Sequence, residues 1–328
     1  MEHYLKFNPL IKSSYCQTIF GTAIDLEMDI GSKTHYVHLK DGDIITVELS
    51  IPNGWCEHSG AVFLVHGLCG SHKSQYMRRI ARRCYDSGMY VGRINLKGCG
   101  SGKGLAKGIY HSGSSDDVLE VIKNFKRSFP FSSIVLVGFS LGANISLKLS
   151  GELDKFGSEY LSGIIAVSPP VDLLSSARLI SRPCNKIYSK YFLRLLMNHV
   201  NYLHQRFKDI PHHNLPSNIT LDDFDELYIA PRSNFSNVFE YYNHCSSKRV
   251  ICNIDIPTKI LFSKDDPIIE STSLDNIDLP NNIDVFKTEY GGHLGFIGFN
   301  VFKEFRWMDN IILSWIESFI NAHVQNVE

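Results

Sequence analysis

The apolar and polar positions of this 328-residue chain fall into two rhythms. Between Thr34 and Ile51 they alternate around Asp41-Gly42, which predicts a β-hairpin. Beyond it, short continuous apolar runs take turns with stretches of helical period. Strands are predicted over Ala61–Val65, Tyr90–Asn95, Ile134–Val137 and Ile164–Val167. Helices are predicted between them over Gln75–Asp86, Asp116–Phe129 and Leu141–Lys155. The rhythm then stops. From about Asp172 to Cys252 the pattern predicts helices and loops without a strand, including an amphipathic, aromatic-rich stretch from Tyr188 to Leu203. Strands resume at Thr258–Ser263 and Ile283–Thr288, and a last helix is predicted from Phe302 to Val324. Residues 1–22 read as an ordered arm, apolar in places but without a period.

Alternating strands and helices imply an α/β fold whose mainly parallel central sheet is covered by helices on both faces. The helical block reads as a cap inserted after the sixth sheet strand. Residues 172–252 then form the cap, and residues 1–171 and 253–328 form the core, with 1–22 as its arm.

Composition narrows the function. Lys and Arg number 33 against 34 Asp and Glu, a formal net charge of −1, so no global field favours nucleic acid or an anionic membrane. The densest basic run, Arg78-Arg79-Ile80-Ala81-Arg82-Arg83, reads as a solvated helix face. None of the eight cysteines forms Cys-x-x-Cys and no histidine cluster has ligand spacing, so neither a metal nor a cofactor is expected. The start has no signal-like apolar core, and no segment approaches the ~20 apolar residues of a membrane span. The chain reads as soluble and cytoplasmic with free thiols, which leaves peripheral membrane contact open and implies no particular oligomeric state.

The chemistry concentrates at Gly138-Phe139-Ser140-Leu141-Gly142, between a predicted strand and a predicted helix. This is the pattern of a nucleophile elbow, where a strand turns so tightly into a helix that small residues must flank the serine, here Gly138 and Gly142. A serine needs a base, and the base needs an orienting acid. In elbow enzymes these follow in the order Ser, Asp or Glu, His, each just beyond a strand end. Asp265-Asp266-Pro267 and Gly291-Gly292-His293 satisfy both order and placement. Asp266 is the preferred acid because the residue before proline is held extended; Asp265 is the alternative. His66, after a strand in His66-Gly67-Leu68-Cys69-Gly70, belongs to a predicted oxyanion loop. The backbone N–H groups of Leu68 and Leu141 are the expected oxyanion donors. His66, Cys69, His111 and Phe139 are candidate pocket residues, with His66 better suited to bracing the loop than to moving protons. Gly98-Cys99-Gly100-Ser101-Gly102-Lys103-Gly104 suggests a phosphate cradle but lacks the hydroxyl residue after the lysine, so it reads as a flexible loop.

These residues resemble the YheT-like branch of the α/β-hydrolase superfamily, which includes yeast medium-chain fatty-acid ethyl ester synthase/esterases and animal α/β-hydrolase-domain proteins. The likeness runs through Phe7-Asn8-Pro9, Gln17-Thr18, His66–Ser71, Asn95–Gly100, Tyr110–Gly113 with Asp116-Asp117, the elbow with Asn144, Asp265–Pro267 and Gly291–Phe296. Cys16, Cys69 and Ala143 depart from the branch's usual residues, and Cys69 bears on pocket polarity. The resemblance implies an α/β-hydrolase fold with Ser140, Asp266 and His293 as triad. It implies a serine esterase acting on a small-molecule acyl ester of short or medium chain. Acyl transfer to an alcohol through the same acyl-enzyme, and a non-catalytic binding protein on the same fold, are the alternatives. Tyr188, Tyr191, Phe192, Leu195, Leu196 and Met197 are expected to line an acyl pocket or to pack the cap.

Overall fold

The computed structural model describes residues 6–23, 30–211, 215–216, 218–301 and 303–327. The first five residues of the arm and the predicted helix start at Phe302 lie outside the described residues. In chain order the arm gives β1 (Asn8–Pro9) and α1 (Ser14–Ala23), followed by the hairpin β2 (Lys33–His38) and β3 (Ile44–Ser50). The alternating part is β4 (Ala61–Val65), α2 (Gln75–Asp86), β5 (Tyr90–Asn95), α3 (Ser115–Ser128), β6 (Ile134–Phe139), α4 (Leu141–Leu153), α5 (Gly157–Tyr160) and β7 (Gly163–Val167). A helical stretch follows, with α6 (Leu173–Ile180), α7 (Lys186–Arg206), α8 (Leu221–Phe224), α9 (Ala230–Arg232) and α10 (Val238–Cys245). The chain then returns through β8 (Thr258–Ser263), β9 (Ile283–Thr288), β10 (Gly298–Phe299) and α11 (Trp307–Val327).

Eight strands form one sheet in the order β2-β3-β5-β4-β6-β7-β8-β9. The β2–β3 and β3–β5 pairs are antiparallel, and every later pair is parallel. Strands covered on both faces need apolar residues at every position. In β4, Ala61, Phe63 and Val65 pack in one core with α3 and α4, while Val62 and Leu64 pack in a second core with α2 and α11. Parity along β6 puts Phe139 on the same side as Val135 and Val137. There its ring lies 4.6 Å from that of Tyr76, fully buried.

The basic run on α2 is not a solvated face throughout. Arg79 is buried and its Nε donates to Asp309 of α11 at 2.7 Å. A helix whose buried arginine meets a buried carboxylate on a neighbour reads as polar from sequence alone, although that side faces the core. The arm is also more structured than its lack of period implies. Asn8–Pro9 pairs antiparallel with Gly298–Phe299 in a second, two-stranded sheet. The last helix begins at Trp307, five positions after the predicted start.

Candidate active site

The elbow is built from close backbone approaches. A Cβ on Gly138 would stand 2.4 Å from the Gly142 carbonyl oxygen, and a Cβ on Gly142 would stand 2.4 Å from the Val65 oxygen. No side chain fits either gap, so both positions require glycine. Between them Ser140 takes φ 52° and ψ −121°, a strained backbone for a residue with a side chain, costing on the order of 1–3 kcal/mol. The turn is held by the Ser140 N–H on the Val167 carbonyl at 2.8 Å and by the Ala143 N–H on the Ser140 carbonyl at 2.9 Å. Asn144 anchors the helix behind it: its buried amide donates to the Ser112 and Cys245 carbonyls and accepts from the Ser247 N–H.

His293 and Asp266 meet the serine from the ends of β9 and β8. The imidazole Nε2 lies 3.0 Å from Ser140 Oγ, and Nδ1 lies 2.8 Å from Asp266 Oδ2. The other Asp266 oxygen accepts the N–H groups of Ile268 at 2.8 Å and Ile269 at 3.0 Å. A carboxylate so filled can only take a proton donor on Oδ2. Nδ1 therefore carries the hydrogen, and the Nε2 lone pair faces the serine hydroxyl. Asp265 points elsewhere and accepts the Gly292 N–H at 2.8 Å. It holds the histidine loop rather than the histidine ring.

The loop after β4 presents three consecutive N–H groups. That of Gly67 donates to the Tyr76 hydroxyl at 3.0 Å, and that of Cys69 to the Tyr110 hydroxyl at 2.8 Å. The N–H of Leu68 between them, and that of Leu141 after the serine, have no acceptor among the described residues. Unclaimed donors flanking a serine hydroxyl are what a developing oxyanion requires.

The candidate pocket residues separate. His111 borders a cavity of about 130 Å³ that also reaches Ser140, and Cys69 borders a second of about 520 Å³ that reaches the same serine. Burial pushes the His111 imidazole down to about 4, with Lys97 and Lys148 adding to the effect, and pushes the Cys69 thiol up to about 12. Both are neutral at pH 7. His66 and Phe139 correct the expectation, since neither borders these cavities. His66 is fully buried, and burial holds it down at about 4. Its Nε2 accepts the Leu96 N–H at 3.2 Å, which leaves Nδ1 to donate to the Gly67 carbonyl at 2.8 Å. Phe139 points away from the serine because of its parity in β6. On α7, Phe192 borders both cavities, Leu196 the smaller one, and Tyr188, Tyr191 and Leu195 the larger; Met197 packs against the core instead.

Two features have no role assigned from sequence, although Gln17-Thr18 is among the residues that carry the resemblance. Asp222 and Asp225 stand in the wall of the smaller cavity, with the Tyr242 hydroxyl on Asp225 at 2.8 Å. The arm braces the histidine loop: Thr18 Oγ1 accepts the His293 N–H at 2.9 Å, and Gln17 Oε1 accepts the Ile297 N–H at 2.6 Å. A Cβ on Gly295 would stand 2.1 Å from the Gln17 carbonyl oxygen, so this contact also demands glycine. No group of three or more His, Cys, Asp or Glu placed to hold a metal occurs among the described residues.

Comparison with known proteins agrees with the fold. Residues 60–230 match the model of the alpha/beta hydrolase fold. The chain is 27% identical over 328 residues to the YheT esterase of Escherichia coli strain K12, spanning 97% of this chain and 94% of that one. It is 30% identical over 246 residues to a monoacylglycerol lipase of Saccharomyces cerevisiae, spanning 71% of this chain and 54% of the lipase. Among solved structures, the Pyrococcus furiosus esterase Pf2001 superposes with a TM-score of 0.58 at 15% identity, over 95% of this chain and all of that one, a likeness of fold.

Proposed function

The chain belongs to the alpha/beta hydrolase family, and from that premise we propose that it is a serine carboxylic ester hydrolase working through Ser140, His293 and Asp266. The relatives' esterase and monoacylglycerol lipase names support ester hydrolysis as the reaction. The observation that carries the catalytic assignment is the unbroken chain of contacts from Asp266 to His293 at 2.8 Å and from His293 to Ser140 at 3.0 Å, beside two unclaimed N–H donors.

In this reading His293 Nε2 takes the hydroxyl proton as Ser140 Oγ attacks the ester carbonyl carbon. Asp266 orients the ring and stabilises the imidazolium that forms. The Leu68 and Leu141 N–H groups hold the oxyanion, each worth about 3 kcal/mol of barrier. Collapse of the tetrahedral intermediate expels the alkoxide, which His293 protonates. Water, deprotonated by His293 in turn, then attacks the acyl-serine and releases the carboxylic acid.

Both cavities touch Ser140, so an ester carbonyl at the serine has room for one arm in each. Phe192 and Ile268 border both and stand at the division. The apolar wall of the smaller cavity supports an acyl chain of short or medium length. Residues 172–252, which supply much of both walls, act as a cap over the sheet edge. Eight unpaired cysteines support a reducing compartment such as the cytoplasm.

The test is fluorophosphonate labelling read by intact mass. One adduct is expected on the wild type and none on Ser140→Ala, with turnover of acyl esters down at least about 10³-fold in the variant. Retained turnover in the folded variant refutes the assignment.

A further inference from the structure

We propose that the mouth of the larger cavity is a docking surface for an anionic lipid bilayer. The cavity that borders Ser140 and His293 also borders Ile19, Ile187 and Tyr191, which are 46%, 61% and 51% exposed. It therefore reaches the surface between α1 and α7. Phe20, beside Ile19, is a further exposed apolar side chain on the same helix. The two helices form one frame, because the Tyr15 hydroxyl donates to the Cys184 carbonyl and its ring stacks on Tyr188 at 5.5 Å between centroids.

Charge selects the occupant. Although the whole chain is nearly neutral, residues 6–23 and 173–206 contain no Asp or Glu. They carry Lys6 and Lys12 in the arm, and Arg178, Arg182, Lys186, Lys190, Arg194 and Arg206 in the helical stretch. On α7 the positions Ile187, Lys190, Tyr191 and Arg194 follow one helix face. The Arg194 guanidinium lies 5.7 Å over the Tyr191 ring. No carboxylate pairs with Lys186, Lys190 or Arg194 among the described residues. Exposed apolar side chains interleaved with cations that meet no carboxylate among the described residues are the pattern that lies on an anionic leaflet, apolar tips in the acyl boundary and cations at the headgroups. A second copy of the chain is a worse fit, because a two-fold contact would set one cationic face against another. A mouth docked in this way opens toward esters dissolved in the leaflet. That consequence rests on the hydrolase reading; the docking does not.

The full chain is mixed with phosphatidylcholine vesicles with and without phosphatidylglycerol and sedimented. Binding is expected to the anionic vesicles only and to weaken as salt rises. Each cation is worth about a fivefold change, so Lys186→Gln with Lys190→Gln should weaken binding about twenty-five-fold. Phe20→Ser should weaken it several-fold. Both variants should keep the wild-type melting temperature and the wild-type rate on a soluble short-chain ester. Equal binding to neutral vesicles, binding to neither, or a dimer dissociated by the same substitutions would each overturn the proposal. Vesicle binding without ester hydrolysis upholds the docking and refutes the hydrolase reading. Hydrolysis without vesicle binding does the reverse.

Discussion

Thr18, on the helix of the N-terminal arm, accepts through its hydroxyl oxygen the backbone N–H of His293, 275 positions later, at 2.9 Å. Leu294 and Phe296 beside it hold positive φ angles of 61° and 41°, so the histidine loop is strained and needs outside support. Thr18→Val keeps the volume and leaves a buried N–H without its acceptor, a cost of about 1–3 kcal/mol. We expect kcat to fall about tenfold with KM little changed, because the ring is displaced from Ser140 while the cavities persist. Thr18→Ser should restore most of the rate. Steady-state kinetics on one soluble ester for the three proteins checks this.

Asp265 and Asp266 invite the same substitution with opposite results. Asp266 Oδ1 is occupied by the N–H groups of Ile268 and Ile269. In Asp266→Asn the amide oxygen must keep those partners, so its NH2 turns toward His293 Nδ1. The histidine is then forced to carry its proton on Nε2, where it cannot accept from Ser140. A loss of about 10³–10⁴-fold in kcat is expected. Asp265→Asn retains an oxygen for the Gly292 N–H and should cost no more than about threefold. Comparable losses in the two variants would contradict these roles.

The parts of the fold that read directly from sequence are those whose pattern has one cause. The strands at Ala61–Val65, Tyr90–Asn95 and Thr258–Ser263 occupy the predicted residues because burial on both faces favours continuous apolar runs, and Ile283–Thr288 occupies them too although it is a half-exposed edge strand. The arm hid its helix because consecutive residues answer to different partners. Gln17 bonds a loop, Thr18 bonds a histidine, and Ile19 and Phe20 stand exposed. Arg79 misled because its carboxylate partner is 230 positions away. Ser140 and His293 were legible from chain order and Asp266 from the proline after it, while the separate task of Asp265 on the Gly292 N–H needed the direction of its carboxylate. Asp222 and Asp225 had no motif to announce them, since only the packing of the helical stretch brings them to the cavity wall. Net charge likewise concealed the acid-free stretches 6–23 and 173–206, because its balance is struck over the whole chain.

The oxyanion loop gives a prediction that separates positioning from contact. Tyr110→Phe removes the acceptor of the Cys69 N–H, and Tyr76→Phe removes that of the Gly67 N–H, the two neighbours of Leu68. Cys69 itself holds a positive φ of 58°, a strained backbone beside the Leu68 donor. Each variant should lower kcat about tenfold. The double variant should lose less than the product of the two, because both tyrosines restrain the same donor. A multiplicative double variant would mean that the tyrosines act independently.

Asp225 predicts how stability depends on pH. Its carboxyl lies among Tyr242, Tyr241 and Phe224 in the cavity wall, and burial pushes it up to about 7 from an ordinary 3.8. The folded protein therefore holds this proton more tightly than the unfolded chain does. Between about pH 4 and pH 7 the folded state binds more protons, so the contribution of this group to stability falls as pH rises and then levels off. A shift from 3.8 to about 7 sets the scale of the loss at up to roughly 4 kcal/mol. Asp225→Asn keeps an oxygen for the Tyr242 hydroxyl and removes the titration. At pH 4 the variant and the wild type should unfold at similar denaturant concentrations. At pH 8 the variant should be the more stable, with the gap opening across the interval between. Parallel stability curves for the two proteins from pH 4 to pH 8 would show that water or a cation reaches the carboxylate and that the cavity wall is wetter than its lining implies.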